Sequence, residues 1–553
     1  MIGHLTTLSH AIMLAEGWRR RGIACLAGAL GALALPPIGF IPAFALAFPV
    51  AVWLLDGATA GPGRFSPRAL VMAARDGWWF GFGYFLAGLW WIGAAFLVET
   101  DEFAWAMPLG ILGLPAVLAC FTAAGFALAR LFWFPGVARI FALTFGLGVS
   151  EHLRHFLFTG FPWNGFGQGL GTSLILAQGA ALIGTDGLGL LTVAIFATPA
   201  TLVANGAAQP SRRPVAIAAL VLAGLAIFGL VRLQASGGIN PAPGAIETVE
   251  GVRLRIVQPN MSQREKIAQR DGMAVLSRLL TLSDRASGPN ATGMADASHV
   301  IWPESPFPFL LLNDPRAIGE IARVLPAKTT LVTGAVRMED VGGGQPRRYF
   351  NSMLGFLGKG TLAAVYDKMH LVPFGEYLPF EGLLSAVGLR RFVHAPGAFV
   401  AGEERRLMEL PGLPPALPII CYEAIFPYEL LANSPRPGLI LNITNDAWFG
   451  ETFGPHQHFH QARLRAIEFG LPLVRAANTG ISGVIDPYGR VTASVPIGVE
   501  SIIDVFLPKA LTATPYSSNG LQNRFIGLLL AFLLTLAFGM FGIRLTGKSG
   551  SRR

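Results

Sequence analysis

Three short stretches each run from apolar, β-prone residues into a side chain capable of acid–base or nucleophilic work. Leu417-Pro418-Ile419-Ile420-Cys421-Tyr422-Glu423 ends on a thiol, Ile301-Trp302-Pro303-Glu304 on a carboxyl, and Leu362–Tyr366 leads into Asp367-Lys368. A thiol nucleophile needs a base for its proton, and a carboxyl in an apolar pocket has its pKa raised enough to serve. It also needs positive charge facing the oxyanion of the tetrahedral intermediate, where a fixed donor is worth about 2.7–4 kcal/mol. A lysine suits that place, and its charge favours the thiolate. Taken singly, the three have ordinary explanations: a buried cysteine, a solvated acid and a solvated lysine. Found together at strand ends of one segment, 64 and 53 residues apart, they point to cysteine-dependent acyl chemistry. His456, His458 and His460 alternate at the start of a helical stretch, with no carboxylate or cysteine nearby to complete a ligand set, so neither metal nor cofactor is expected.

The elements that must position these groups lie between about 250 and 508. Candidate strands are Val252–Val257, His299–Trp302, Thr330–Thr333, Ser352–Phe356, Leu362–Tyr366, Leu417–Cys421, Leu439–Ile443, Leu473–Arg475, Gly483–Ile485 and Ile502–Val505. Helices are expected at 262–284, 314–324, 423–433 and 455–469. Strands interleaved with helices indicate one α/β domain. Pro303 keeps the chain extended ahead of Glu304, and Pro306 and Pro308 stiffen its exit. Gly342-Gly343-Gly344 lacks a following helix and Lys-Ser/Thr, which reads as a hairpin or loop and not a phosphate cradle.

The rest of the chain is of another kind. Of 553 residues, 52% are hydrophobic and 14% charged, with mean hydropathy +0.51, which is the composition of a membrane protein. The net charge of +9 falls mostly between apolar spans and not in one aromatic-laced patch, so nucleic acid is not the expected partner. Only Cys25, Cys120 and Cys421 are present, too few and too odd in number for a disulfide framework. After Arg19-Arg20-Arg21 comes a short apolar run to Pro36-Pro37, then spans near 38–55, 78–99, 105–130, 138–157, 173–204, 214–233 and 524–544. Each approaches the length needed to cross the hydrocarbon, giving an α-helical bundle of about eight transmembrane helices. Arg64, Arg68, Arg75, Arg130, Arg139, Arg212, Arg213, Lys548, Arg552 and Arg553 then share one side, and Glu99 to Glu102 the other. The positive-inside bias puts both termini in the cytoplasm and the segment 240–520 outside. The expected domains are 1–238 with seven spans, 239–515 carrying the catalytic groups, and 516–553 with the eighth span and a tail. Glu151, His152, Arg154 and His155, followed by Phe158 to Asn164, read either as an interfacial anchor or as a lip for a lipid headgroup.

The three strand ends resemble the nitrilase superfamily, whose Glu–Lys–Cys triad sits in an αββα sandwich; the matching residues are Glu304, Lys368 and Cys421. With the spans, and with Thr159 to Trp163, His370 to Tyr377, Cys421-Tyr422-Glu423, Thr444 to Phe449 and Arg475 to Ser482, nearly the whole chain resembles the apolipoprotein N-acyltransferase family of the bacterial inner membrane. The resemblance implies supporting roles for Glu376 and Glu423, and Tyr422 beside the nucleophile. It implies a phospholipid acyl donor, a diacylated apolipoprotein acceptor, and a multi-pass protein whose catalytic domain faces the periplasm; a monomer is expected. Trp448 and Phe449 line an acyl entrance or pack in the core. Relatives carry tryptophan shortly after the position of Lys266, where this chain has Ile267. Two alternatives remain: a membrane-tethered nitrilase-type amidase acting on a soluble C–N substrate, and a non-enzymatic lipid transporter.

Overall fold

Apolar residues that encircle helices in one part of the chain and alternate along strands in the other cannot share one core. The chain accordingly divides into Met1–Ile239 with Ala513–Arg553, and Asn240–Thr512. The computed structural model describes residues 2–58, 66–204, 209–242, 244–262, 272–342, 347–379, 399–430 and 435–550. Ile267 and its neighbours, Arg64, Gly343 and Gly344 lie outside the described residues.

The first unit is helical. Four of its described helical segments are long and apolar enough to cross a membrane: Pro67–Leu97, Thr100–Leu131, Ala180–Leu202 and Arg213–Gln234. Ile41–Gly57 and Phe525–Met540 are apolar but shorter. Gly17–Gly31 and Ala138–Arg154 have 15 and 17 residues. Among the described residues, four helical segments thus have the length and composition of a membrane span, where eight were expected. The expected span 173–204 is broken into Leu174–Ala177 and Ala180–Ala197, with Gly184 at φ +69° inside the second. A further helix, Ile2–Met13, was not anticipated. Small residues let helices approach closely, as membrane packing demands: a Cβ on Gly77 would stand 2.6 Å from the Phe126 Cβ. Two buried arginines of this unit face carboxylates. Arg20 meets Asp76 at 2.8 Å, and Arg139 meets Asp56. Arg154 is buried and donates to the carbonyls of Phe161 and Trp163, so it fastens the stretch read as a headgroup lip.

The second unit is built on two sheets. One has the order β11-β1-β2-β3-β4-β5, from β1 (Thr248–Gln258), β2 (His299–Ile301), β3 (Thr330–Glu339), β4 (Arg348–Leu357), β5 (Thr361–Asp367) and β11 (Ser501–Pro508). The other has the order β10-β9-β8-β7-β6, from β6 (Ala416–Ile420), β7 (Leu439–Thr444), β8 (Leu473–Ala477), β9 (Ser482–Ile485) and β10 (Val491–Val495). Strands β1 to β3 run parallel, as do β6 to β8. Alternation along β1 sends Val252, Leu254 and Ile256 into the core shared with Ile420, Leu441, Ile443 and Val474 of the other sheet. Val257 joins the cluster formed with the helices Gly272–Ser283 and Pro315–Val324. Arg255 also points to that side, yet it is buried: Asp504, its register partner on β11, takes it at 2.6 Å, and the Ser283 carbonyl accepts a second bond. Phe453–Phe469 is the expected helix against the second sheet. The expected helix 423–433 is instead two 3₁₀ turns, Cys421–Ile425 and Pro427–Leu430, with 431–434 outside the described residues. Pro427 has no N–H to continue the first turn.

Candidate active site

The site lies where the two sheets release their strands. Strand β6 is an edge strand, the position in which a sheet tolerates Pro418. It ends at Ile420, and Cys421 follows at φ +50°, a backbone region that L side chains resist. Lys368 follows β5 directly, and its N–H is fixed on the Asn351 carbonyl of the neighbouring β4 at 2.8 Å. Glu304 stands three residues beyond β2, and the Gly334 N–H holds the preceding Pro303 carbonyl at 3.1 Å. Gly334 is required there, because a Cβ on it would lie 2.6 Å from the Glu304 Cα.

Glu304, Lys368 and Cys421 are all buried, at 7%, 1% and 8% exposure. Lys368 Nζ lies 2.9 Å from Glu376 Oε1 and 3.5 Å from Glu304 Oε1. Asn351 Nδ2 donates to both carboxylates at 2.7 Å, and Glu304 Oε2 accepts from the Asn445 N–H at 2.9 Å, a bond from one sheet's exit loop to the other's. Glu376 Oε2 accepts from the Val372 N–H at 2.8 Å, which folds the 371–377 loop back onto the lysine. Burial opposes the Lys368 ammonium, but Glu376, Glu304 and Cys421 more than offset it and hold its pKa above the ordinary lysine value. Burial pushes the Cys421 thiol up, Glu304 and Asp446 push the same way, and Lys368 and the Thr444 hydroxyl pull against them. The thiol is therefore protonated at neutral pH and needs a base beside it. Glu304 is the carboxylate that burial and charge couple to it.

Glu423 organises the turn and does not face the reacting groups. Its Oε2 accepts from the Ile420 N–H at 2.7 Å, while Oε1 takes the Tyr366 hydroxyl at 2.7 Å, the Met369 N–H at 2.9 Å and Arg405 at 3.0 Å. Burial opposes this carboxylate, but Arg405, the Tyr366 hydroxyl and these N–H groups hold it below the usual range. It thus ties the cysteine turn to the strand end that carries Lys368. Tyr422 is buried, with its ring near His370 and Phe426. Trp448 is half-buried on the turn Asp446–Phe449 and, among the described residues, stands apart from the hydrogen-bonded set.

Asn351 and Arg405 had no part in the sequence reading, and Asn445 entered it only within the stretch Thr444 to Phe449; each acts through contacts made across the fold. The histidines also read differently. Asp446 and Cys421, from distant segments, bring ligand atoms within 4.8 Å of His458, a grouping invisible along the chain. Both His458 nitrogens are nevertheless engaged by the protein, Nδ1 with Asp446 and Nε2 with the Cys421 carbonyl, which is not how a metal ligand presents itself.

Residues 253–516 match the Carbon-nitrogen hydrolase family, and 27–198 match the Apolipoprotein N-acyltransferase N-terminal domain. An apolipoprotein N-acyltransferase of Rhodopseudomonas palustris is 50% identical over 520 residues, covering 94% of this chain and 95% of its own. One of Bradyrhizobium diazoefficiens is 49% identical over 538 residues, covering 96% and 97%. Among solved structures, an amidase from Nesterenkonia sp. is 20% identical with a TM-score of 0.35, covering 53% of this chain and 100% of its own; a score that low carries no argument. Identity of this depth, over both units and nearly end to end, means that the chain belongs to the apolipoprotein N-acyltransferase family.

Proposed function

We propose that this protein moves an acyl chain from a phospholipid, through a thioester on Cys421, to the N-terminal amino group of a diacylglyceryl-cysteine lipoprotein. The observation that carries this reading is the buried meeting of Glu304, Lys368 and Cys421 in a chain of this family. Glu304 takes the thiol proton as sulfur attacks the ester carbonyl, and Lys368 faces the resulting oxyanion. Collapse breaks the ester C–O bond, and the departing lysophospholipid oxygen takes the proton from Glu304. The lipoprotein amine then attacks the thioester and gives its proton to Glu304. The C–S bond breaks in preference to C–N because a thiolate leaves more readily than an amine, and the thiolate recovers the proton. Glu376 and Glu423 serve as supports for Lys368 and the cysteine turn, Tyr422 flanks the nucleophile, and Trp448 lines the acyl entrance.

We further infer eight crossings of the bacterial inner membrane, with segment 239–515 on the periplasmic side and the enzyme acting as a monomer. The basic loops on one side of the spans support that orientation. Incubation with phospholipid followed by intact mass measurement tests the chemistry. One acyl mass on the enzyme, absent in Cys421→Ala and discharged by a diacylated lipopeptide as an amide product, is expected. Undiminished N-acylation by Cys421→Ala would end the proposal.

A further inference from the structure

An open ring of hydrogen bonds runs from the Thr444 hydroxyl round to the Cys421 carbonyl, apart from the approach of the thiol to Glu304 and Lys368. The Thr444 hydroxyl donates to Asp446 Oδ1 at 2.9 Å. The same oxygen lies 2.8 Å from His458 Nδ1, and His458 Nε2 lies 3.0 Å from the Cys421 carbonyl oxygen. A carbonyl and a carboxylate oxygen both only accept, so Nε2 and Nδ1 each donate in these bonds. Arg475 steadies the ring through Asp446 Oδ2 at 2.8 Å. Thr444, His458 and Arg475 are 0% exposed and Asp446 1%.

The ring acts on the residue whose backbone most needs holding. Cys421 sits at φ +50°, a conformation that persists only where its surroundings impose it. The 421–422 peptide is planar and trans, so its C=O and N–H point in opposite directions. A donor fixed on the carbonyl therefore also fixes where the Tyr422 N–H points and how the Cα–Cβ bond carries the sulfur. We propose that His458, aligned by Asp446, is the positioning residue that sets this peptide plane and so aims Cys421 at the acyl carbonyl. The inference rests on Cys421 being the nucleophile.

The test uses the full-length enzyme in detergent micelles containing a diacyl phospholipid with sixteen-carbon chains. The readouts are the rate of thioester formation on Cys421 by intact mass, the KM for phospholipid, and the thermal midpoint. A glutamine amide can stand where Nε2 stands, whereas an asparagine amide reaches only the Nδ1 position. His458→Gln should therefore keep the thioester rate within about tenfold, while His458→Asn loses about a hundredfold at saturating lipid with little change in KM, the cost of a small misplacement of a reacting group. Equal rates in the two variants, or losses that follow KM or the thermal midpoint alone, would overturn the proposal. Should His458→Asn not fold, Thr444→Val and Thr444→Ser probe the same ring: the serine variant should keep the rate and the valine variant lose it, and equal rates would overturn it. Failure of the unsubstituted enzyme to form any thioester would remove the proposed function and this inference with it, so the two failures are distinguishable.

Discussion

Burial and two neighbouring carboxylates push the Cys421 thiol up, so in the proposed mechanism its reactivity at neutral pH comes through Glu304. With Glu304→Gln, only spontaneously ionised thiol reacts. Alkylation by iodoacetamide should then climb about tenfold per pH unit between pH 7 and 9, because the ordinary thiol range is already near 8.5 and this thiol lies above it. The unsubstituted enzyme should be faster at pH 7 and less steep; a plateau below pH 8 in the variant would mean a preformed thiolate. Asn351 is the second test at this scale. One amide nitrogen serves both Glu304 and Glu376, and a hydrogen bond to a charged group is worth about 1.5–3 kcal/mol. Asn351→Ala should lower kcat/KM for N-acyl transfer by roughly ten- to a hundredfold, read by steady-state assay. Glu304, Lys368 and Cys421 stand out in the sequence because each ends an apolar run. Asn351 does not, because a polar residue inside a strand is unremarkable until the fold places two acids at its amide.

Elements place these groups by close approach, and Gly334 on β3 shows how tightly. Its missing side chain lets the backbone at Glu304 pass over the strand. Gly334→Ala must push that backbone away, and a displaced base should cost about a hundredfold in acyl transfer. Gly319, exposed on the helix Pro315–Val324 with nothing within 4 Å of a would-be Cβ, is the control; Gly319→Ala should leave activity alone and stabilise by about 0.5–1 kcal/mol. His299 on β2 supplies a pH dependence. It is 1% exposed, and burial lowers its pKa to about 4, with the Pro411 carbonyl opposing. The unfolded chain takes up a proton near pH 6.5 while the folded one resists until about pH 4, so stability is full above 6.5 and falls as the pH drops through that window. By pH 5 the loss is about 2 kcal/mol. The thermal midpoint in detergent should fall from pH 7 to 5, and His299→Gln should flatten that fall. Alternation and apolar runs sufficed to find ten of the strands, but β10 (Val491–Val495), with four of its five residues partly or fully exposed to solvent between short turns, offers neither pattern. The helix expected at 423–433 failed on a different ground: Glu423 spends its carboxylate on the turn it starts, so the chain tightens into 3₁₀ geometry.

For the molecule as a whole, the physical problem is that a sixteen-carbon chain resists leaving the bilayer by roughly 12 kcal/mol at about 0.8 kcal/mol per methylene. An enzyme using such a donor must work at the membrane, which gives a reason for one chain to carry apolar spans and a cysteine site. Composition made the membrane unit legible, but not its span count, because helices of 15 and 17 residues fall between a buried core helix and a crossing, and proline and glycine interrupt others. Orientation is the remaining expectation, and it rests on arginines gathered in alternate loops. Cysteine accessibility decides it. In cells whose outer barrier admits the reagent, a membrane-impermeant maleimide should label Glu404→Cys, an exposed position on the catalytic unit, in a chain otherwise lacking Cys25 and Cys120. It should label Ser549→Cys, in the basic tail, only after the inner membrane is breached. The reverse order would place the cysteine site on the cytoplasmic side, and labelling of both before the breach would mean that the last helix does not cross.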